Sequence, residues 1–194
     1  MRFEDKLTNG MKENSDKVIY SHDVIEFTQV AVRFCAFLEQ GEGRTRKEFT
    51  DTMLKLTPLL YLKAQMLPRI ESDGDFLPSD QVTEADYNWI RSLVAQTMGG
   101  DDEYLDVAYE EALQTDETRW RSISEECADV YQPVRNFLAT YQGGVEDCMR
   151  DTLWHLTDQF DIFWGGCLVN VMRRLHQLKY TAKDTTEDDY EEEY

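Results

Sequence analysis

The sequence predicts an all-α protein, a single-domain bundle of about five long helices with a long C-terminal helix as its spine. Three observations predict it. Apolar residues recur at helical spacing in stretch after stretch, glycine and proline signals fall between the stretches, and no alternating apolar strand pattern competes with them. The chain has 194 residues, 41% of them hydrophobic. That is enough to bury one core and short for two.

Residues 1–18 are polar and lack periodicity, which predicts an extended N-terminal arm. Residues 19–181 carry the helical patterns and form the expected bundle domain. Ser21 opens the first helix, and Val24, Phe27, Ala31, Phe34, Cys35 and Leu38 mark its apolar face. Ile25, Val30, Val32 and Phe37 widen that face almost all round. Gly41 and Gly43 end it. Thr45 and Glu48 then have the spacing of a capping box for a second helix, whose stripe is Phe49, Met53, Leu56, Leu60, Ala64 and Leu67. Pro58 inside that stripe predicts a kink near Leu54. Residues 68–82 read as a loop, Thr83 caps a third helix through Ile90, Leu93, Val94 and Thr97, and Gly99 with Gly100 stops it. From Asp101 to Arg121 the pattern is weak and acidic, with a short helix expected over Tyr104 to Ala112.

The fourth long helix begins at Ser122 or Ser124 and carries Ile123, Cys127, Val130, Tyr131, Val134, Phe137, Leu138 and Tyr141 on one side, with Pro133 expected to bend it. Gly143 and Gly144 close it and join it to an antiparallel neighbour. That neighbour is the spine. Val145, Met149, Leu156, Phe160, Phe163, Trp164, Cys167, Leu168, Val171, Leu175 and Leu178 gather on one face at 100° per residue, while Asp147, Asp151, His155 and Asp158 fall on the other and read as solvated. Gly165 and Gly166 mark a close approach or a bend. Residues 182–194 are dominated by acids and contain one base, which predicts an acidic disordered tail.

The charge excludes several partners. With 39 acidic against 20 basic residues the chain carries −19, so phosphate backbones and anionic membranes are repelled. No long uncharged apolar run or leader is evident, and the four cysteines show no paired spacing, so reduced thiols in the cytoplasm are the expectation.

No motif selects a reaction. The Asp147, Asp151, His155 and Asp158 row lies opposite the apolar stripe, unlike the inward ligands of dimetal bundles. Asp73, Asp75 and Glu84 fit a calcium loop in part, but Leu77 and Pro78 stand where a ligand and a glycine are needed. Gly41 to Lys47 lacks phosphate-loop spacing, and no nucleophile has a base partner named by its neighbourhood. Neither cofactor nor metal is called for. The least generic feature is Asn170 and Arg174 inside the apolar stripe. A guanidinium there needs an acid such as Glu126 from the adjacent helix, which would fix helix register, or else it helps line a pocket for a small anion.

Ser122-Ile-Ser-Glu-Glu-Cys-Ala-Asp-Val-Tyr-Gln and Phe163-Trp-Gly-Gly-Cys-Leu-Val-Asn-Val-Met-Arg-Arg-Leu-His, with the Val24 to Glu39 helix, resemble an uncharacterised bacterial all-helical family, domain of unknown function 5063. The resemblance spans nearly the whole chain and implies a cytosolic helical domain with no assigned activity. It singles out Glu125, Asp129, Trp164, Asn170, Arg174 and His176 as a candidate polar site, and Pro133 departs from its pattern. The reading that follows is a non-enzymatic module that binds another protein. The alternative is a metal- or small-anion-dependent enzyme, such as a nucleotide-phosphate hydrolase, using acid pairs like Glu39 and Glu42, Glu48 and Asp51, or Glu126 and Asp129.

Overall fold

The computed structural model describes residues 18–71, 81–110 and 115–181. The expected arm, apart from Val18, and the expected tail lie outside them, as does most of the 68–82 loop. The all-α bundle is observed, around one contiguous core. Its helices are α1 (His22–Glu39), α2 (Arg46–Met66), α3 (Glu84–Met98), α4 (Ile123–Gly143) and a spine made of α5 (Glu146–Gln159), a π-turn (Phe160–Trp164) and α6 (Gly165–Tyr180). No helix of the described residues is long and apolar enough to cross a membrane.

The stripes and caps fold as the periodicity requires. Val24, Phe27, Ala31, Phe34, Cys35 and Leu38 are all buried on α1, although Ile25 and Val32 stay exposed, so the helix has one buried face and is not enclosed all round. Thr45 and Glu48 form the reciprocal box at the start of α2, and Thr83 forms one with Asp86 at the start of α3. Both helices with an internal proline run through it unbroken. α1 lies antiparallel to α4, with Phe27 edge-on to Phe137 at 5.7 Å and Tyr141 Oη donating to the Ile19 carbonyl. α2 lies antiparallel to α6, where Asp51 meets Lys179 and Tyr61 meets Phe160.

Two features correct the sequence reading. The segment expected as a short helix is a β-hairpin, β1 (Glu103–Glu110) antiparallel to β2 (Thr115–Ser122), with Tyr104 opposite Arg121 and Leu105 opposite Trp120. Its alternation is inverted: Tyr104 and Asp106 point inward and are buried, while Leu105 and Trp120 face out. A search for buried apolar alternation passes over such a strand. The spine, in turn, is not a uniform α-helix. The π-turn inserts extra backbone, so the faces of α5 and α6 are out of phase by about one residue. Hence Phe163, expected in the stripe, is exposed, while Met149, Leu156, Phe160, Trp164, Cys167, Leu168, Val171 and Leu175 are buried; Val145, also expected there, is exposed because it is the extended N-cap residue before α5. Asp151, expected in solvent, is buried.

Gly165 follows the π-turn directly, as the first residue of α6. A Cβ there would stand 2.6 Å from the Phe160 carbonyl oxygen and 3.0 Å from its ring, whereas one at Gly166 meets nothing within 4 Å. The close approach is at Gly165 alone. In urea denaturation, Gly165→Ala should lose about 2 kcal/mol through this clash, while Gly166→Ala should be neutral or gain up to about 1 kcal/mol from helix propensity. Equal effects at the two positions would contradict the assignment.

Candidate functional site

The hairpin runs directly into α4, and the junction is built from polar side chains. Ser122, the last residue of β2, accepts from the Glu125 N–H. Asp102 accepts from the Ser124 N–H at 2.8 Å and from Ser124 Oγ at 2.6 Å, while its own carbonyl receives the Ile123 N–H. A carboxylate at a helix N-terminus satisfies open donors and complements the helix dipole.

One turn into α4, Glu126 is 4% exposed. Its Oε2 accepts from Tyr104 Oη at 2.7 Å, and its Oε1 accepts from Arg121 Nη1 at 3.1 Å and from Asn170 Nδ2 at 2.8 Å. One buried carboxylate thus ties β1, β2 and α6 to α4. Burial pushes its titration up, and the hydrogen bonds from Tyr104 and Asn170 and the Arg121 charge pull it back only in part. Arg121 also donates through Nε to Asp106 Oδ2 at 3.0 Å, and Arg173 of α6 grips the other oxygen of Asp106. These two guanidinium partners, Arg173 foremost, hold Asp106 below the usual carboxylate range.

The candidate residues do not form one site. Asn170 joins the Glu126 network. Arg174, one turn further, does not reach Glu126; its guanidinium lies over the Tyr104 ring at 5.3 Å, and its Nε is buried with no hydrogen-bond partner among the described residues. Trp164 is fully buried, stacks edge-on to Phe160 and donates its indole N–H to the Leu156 carbonyl. His176 is exposed beside Tyr180. Glu125 is exposed on the first turn of α4. Asp129 turns toward α3, where it accepts from Tyr87 Oη at 2.8 Å. Burial and the neighbouring Glu125 raise its titration. Tyr104, Asp106, Arg121 and Arg173 were missed from sequence; the Tyr104 and Asp106 alternation, set against Arg119 and Arg121, was the available signal.

Other sequence candidates are structural. Arg44 stacks on Phe37 and caps the carbonyls of Phe37 and Gln40 at the end of α1. Among the described residues, His22, Asp23 and Glu26 cluster, but at the surface, with Glu26 already paired to Lys63. Cys35, Cys127 and Cys167 are buried free thiols, and burial raises all three, Cys167 to about 12, which leaves them protonated and unreactive.

The chain matches the family described as "Domain of unknown function (DUF5063)" over residues 18–181. It belongs to that family. The domain of unknown function 5063 assignment thus covers every described helix and the hairpin. A crystal structure of protein BF1032 from Bacteroides fragilis is similar, with 42% identity, 84% of this chain and 96% of that one covered, and a TM-score of 0.75. No curated protein matches.

The network makes two checks possible. Asp106→Asn leaves Arg121 and Arg173 without their shared charge and should cost about 3 kcal/mol in urea denaturation. For Glu126 the folded titration lies above the unfolded one, so its contribution is present at low pH and is lost as pH rises from about 4.3 through the folded value. Glu126→Gln cannot titrate, so its stability relative to the native chain should climb with pH across that window. Parallel profiles would contradict a raised Glu126.

Proposed function

We propose that the domain is a non-enzymatic protein-interaction module and that the hairpin is its docking element. The observation that carries this reading is the Leu105 and Trp120 pair. The two stand directly opposite each other on the outer face, 55% and 74% exposed, while the inner face of the same strands is clamped by Glu126 and Asp106. An aromatic anchor held on a rigid support loses little freedom when it is covered, and such anchors dominate binding energy at interfaces. Among the described residues the sheet has two strands, so each also offers an outer edge for main-chain pairing.

Charge specifies the partner. The chain carries −19, and its sequence from residue 110 to residue 117 contains Glu110, Glu111, Asp116 and Glu117 and no base. A basic, extended polypeptide segment with an apolar side chain fits this surface. The network's carboxylates are spent on arginine, asparagine, serine and tyrosine donors, which favours binding over hydrolysis as the role of this region. The free thiols and the similarity to a Bacteroides fragilis protein support a bacterial cytoplasmic setting.

Arrayed synthetic peptides test the reading. The native chain should retain basic peptides carrying Trp or Leu. A variant with Leu105→Ser and Trp120→Ser should keep its circular dichroism and melting temperature while losing at least about tenfold in affinity. Equal retention by the two chains would overturn the hairpin assignment.

A further inference from the structure

A second feature lies away from the hairpin's outer face, between α4 and α5. There Asp129, Gln132 and Phe137 of α4 face Thr152, His155 and the exposed Phe163 of the spine across a cleft of about 150 Å³. Thr152 is 3% exposed, yet its Oγ1 has no hydrogen-bond partner among the described residues. That is unusual on a helix, where a threonine hydroxyl commonly turns back to a carbonyl one turn earlier, as Thr28 and Thr57 do here. An orphaned buried hydroxyl at a cleft wall is a group that a ligand would satisfy. Asp129 is similarly incomplete. Tyr87 takes its Oδ1, and Oδ2 accepts no hydrogen bond among the described residues.

The geometry points to this cleft as a binding site for a small planar ring cation of the amidine or aminoheterocycle type. Three features select that chemistry. The lining holds one carboxylate and one histidine, and neither lysine nor arginine, so an anion finds no counter-charge there while a cation finds Asp129. The field of a chain with −19 acts in the same direction. The volume is that of a cavity known to take a single six-membered aromatic ring, and the exposed Phe163 side chain offers apolar surface beside the polar groups. A planar cation with two N–H groups on one edge meets the open Asp129 oxygen, while Thr152, able to donate or accept, adapts to the neighbouring ring or amino nitrogen. Gln132 adds an amide that likewise both donates and accepts.

The test uses the full chain and benzamidine as the probe, with benzoate as a control of the same shape and opposite charge, followed by 1H–15N NMR. Benzamidine should give saturable shifts centred on Asp129, Gln132, Thr152 and His155, and benzoate none. Asp129→Asn keeps an acceptor for Tyr87 and should weaken benzamidine at least about tenfold, the loss expected for one charged hydrogen bond. Thr152→Val removes an unsatisfied group, so it should fold at least as stably and still bind several-fold more weakly. No saturable shift up to about 10 mM, a range that covers weak binding by a ligand this small, would overturn the assignment. So would equal binding of benzoate, or benzamidine affinity unchanged in both variants.

Discussion

The structure hangs on the burial of one carboxylate. Glu126 sits near the N-terminus of α4, almost out of reach of water, and an ionised group there is tolerated only if its oxygens are met by donors. The donors come from three other elements: Tyr104 from β1, Arg121 from β2 and Asn170 from α6. Moving any of them takes a hydrogen bond from the buried carboxylate, so the four elements hold one register. Arg121 extends the constraint to Asp106, and Arg173 returns it to α6. The exposed face of the hairpin follows from this. With Tyr104, Asp106 and Arg121 committed inward, the alternation of a strand sends Leu105 and Trp120 outward.

Much of the bundle was legible because it obeys a single period. The stripes of α1, α2 and α4 and the Thr45 and Thr83 caps read directly from spacing. The hairpin did not, because its inward side carries Tyr104, Asp106 and Arg121 while Leu105 and Trp120 face solvent. Hydrophobic pattern records burial only where burial is apolar. The π-turn was equally hidden: the sequence shows a run from Phe160 to Trp164 that fits an α-helix, and nothing in side-chain chemistry announces an extra residue per turn. The Gly165 and Gly166 pair was the visible trace, read as a close approach or a bend without revealing that Gly165 approaches Phe160 of its own helix.

The candidate polar residues show the same division. Asn170 and Arg174 stood out as polar groups in an apolar stripe, and Glu126 was named as an acid that would meet Arg174. It meets Asn170, because Arg174 lies one turn further along and rests on the Tyr104 ring instead. Glu126 and Asp129 lie three residues apart on α4, and burial raises the titration of both. Their surroundings separate their roles. Both Glu126 oxygens are filled by the protein, which makes it a clamp, whereas Asp129 keeps one oxygen without a hydrogen bond among the described residues beside a cleft, the condition for meeting a ligand.

The central claim is that the hairpin is part of the rigid bundle, held there by Glu126 and Asp106. Native-state amide hydrogen exchange tests it most directly. If the clamp holds, the amides of β1 near Asp106 and of β2 near Arg121 exchange as slowly as those of α4 and α6, within about tenfold. Exchange of the strands near the unprotected rate while the helices stay protected would contradict it.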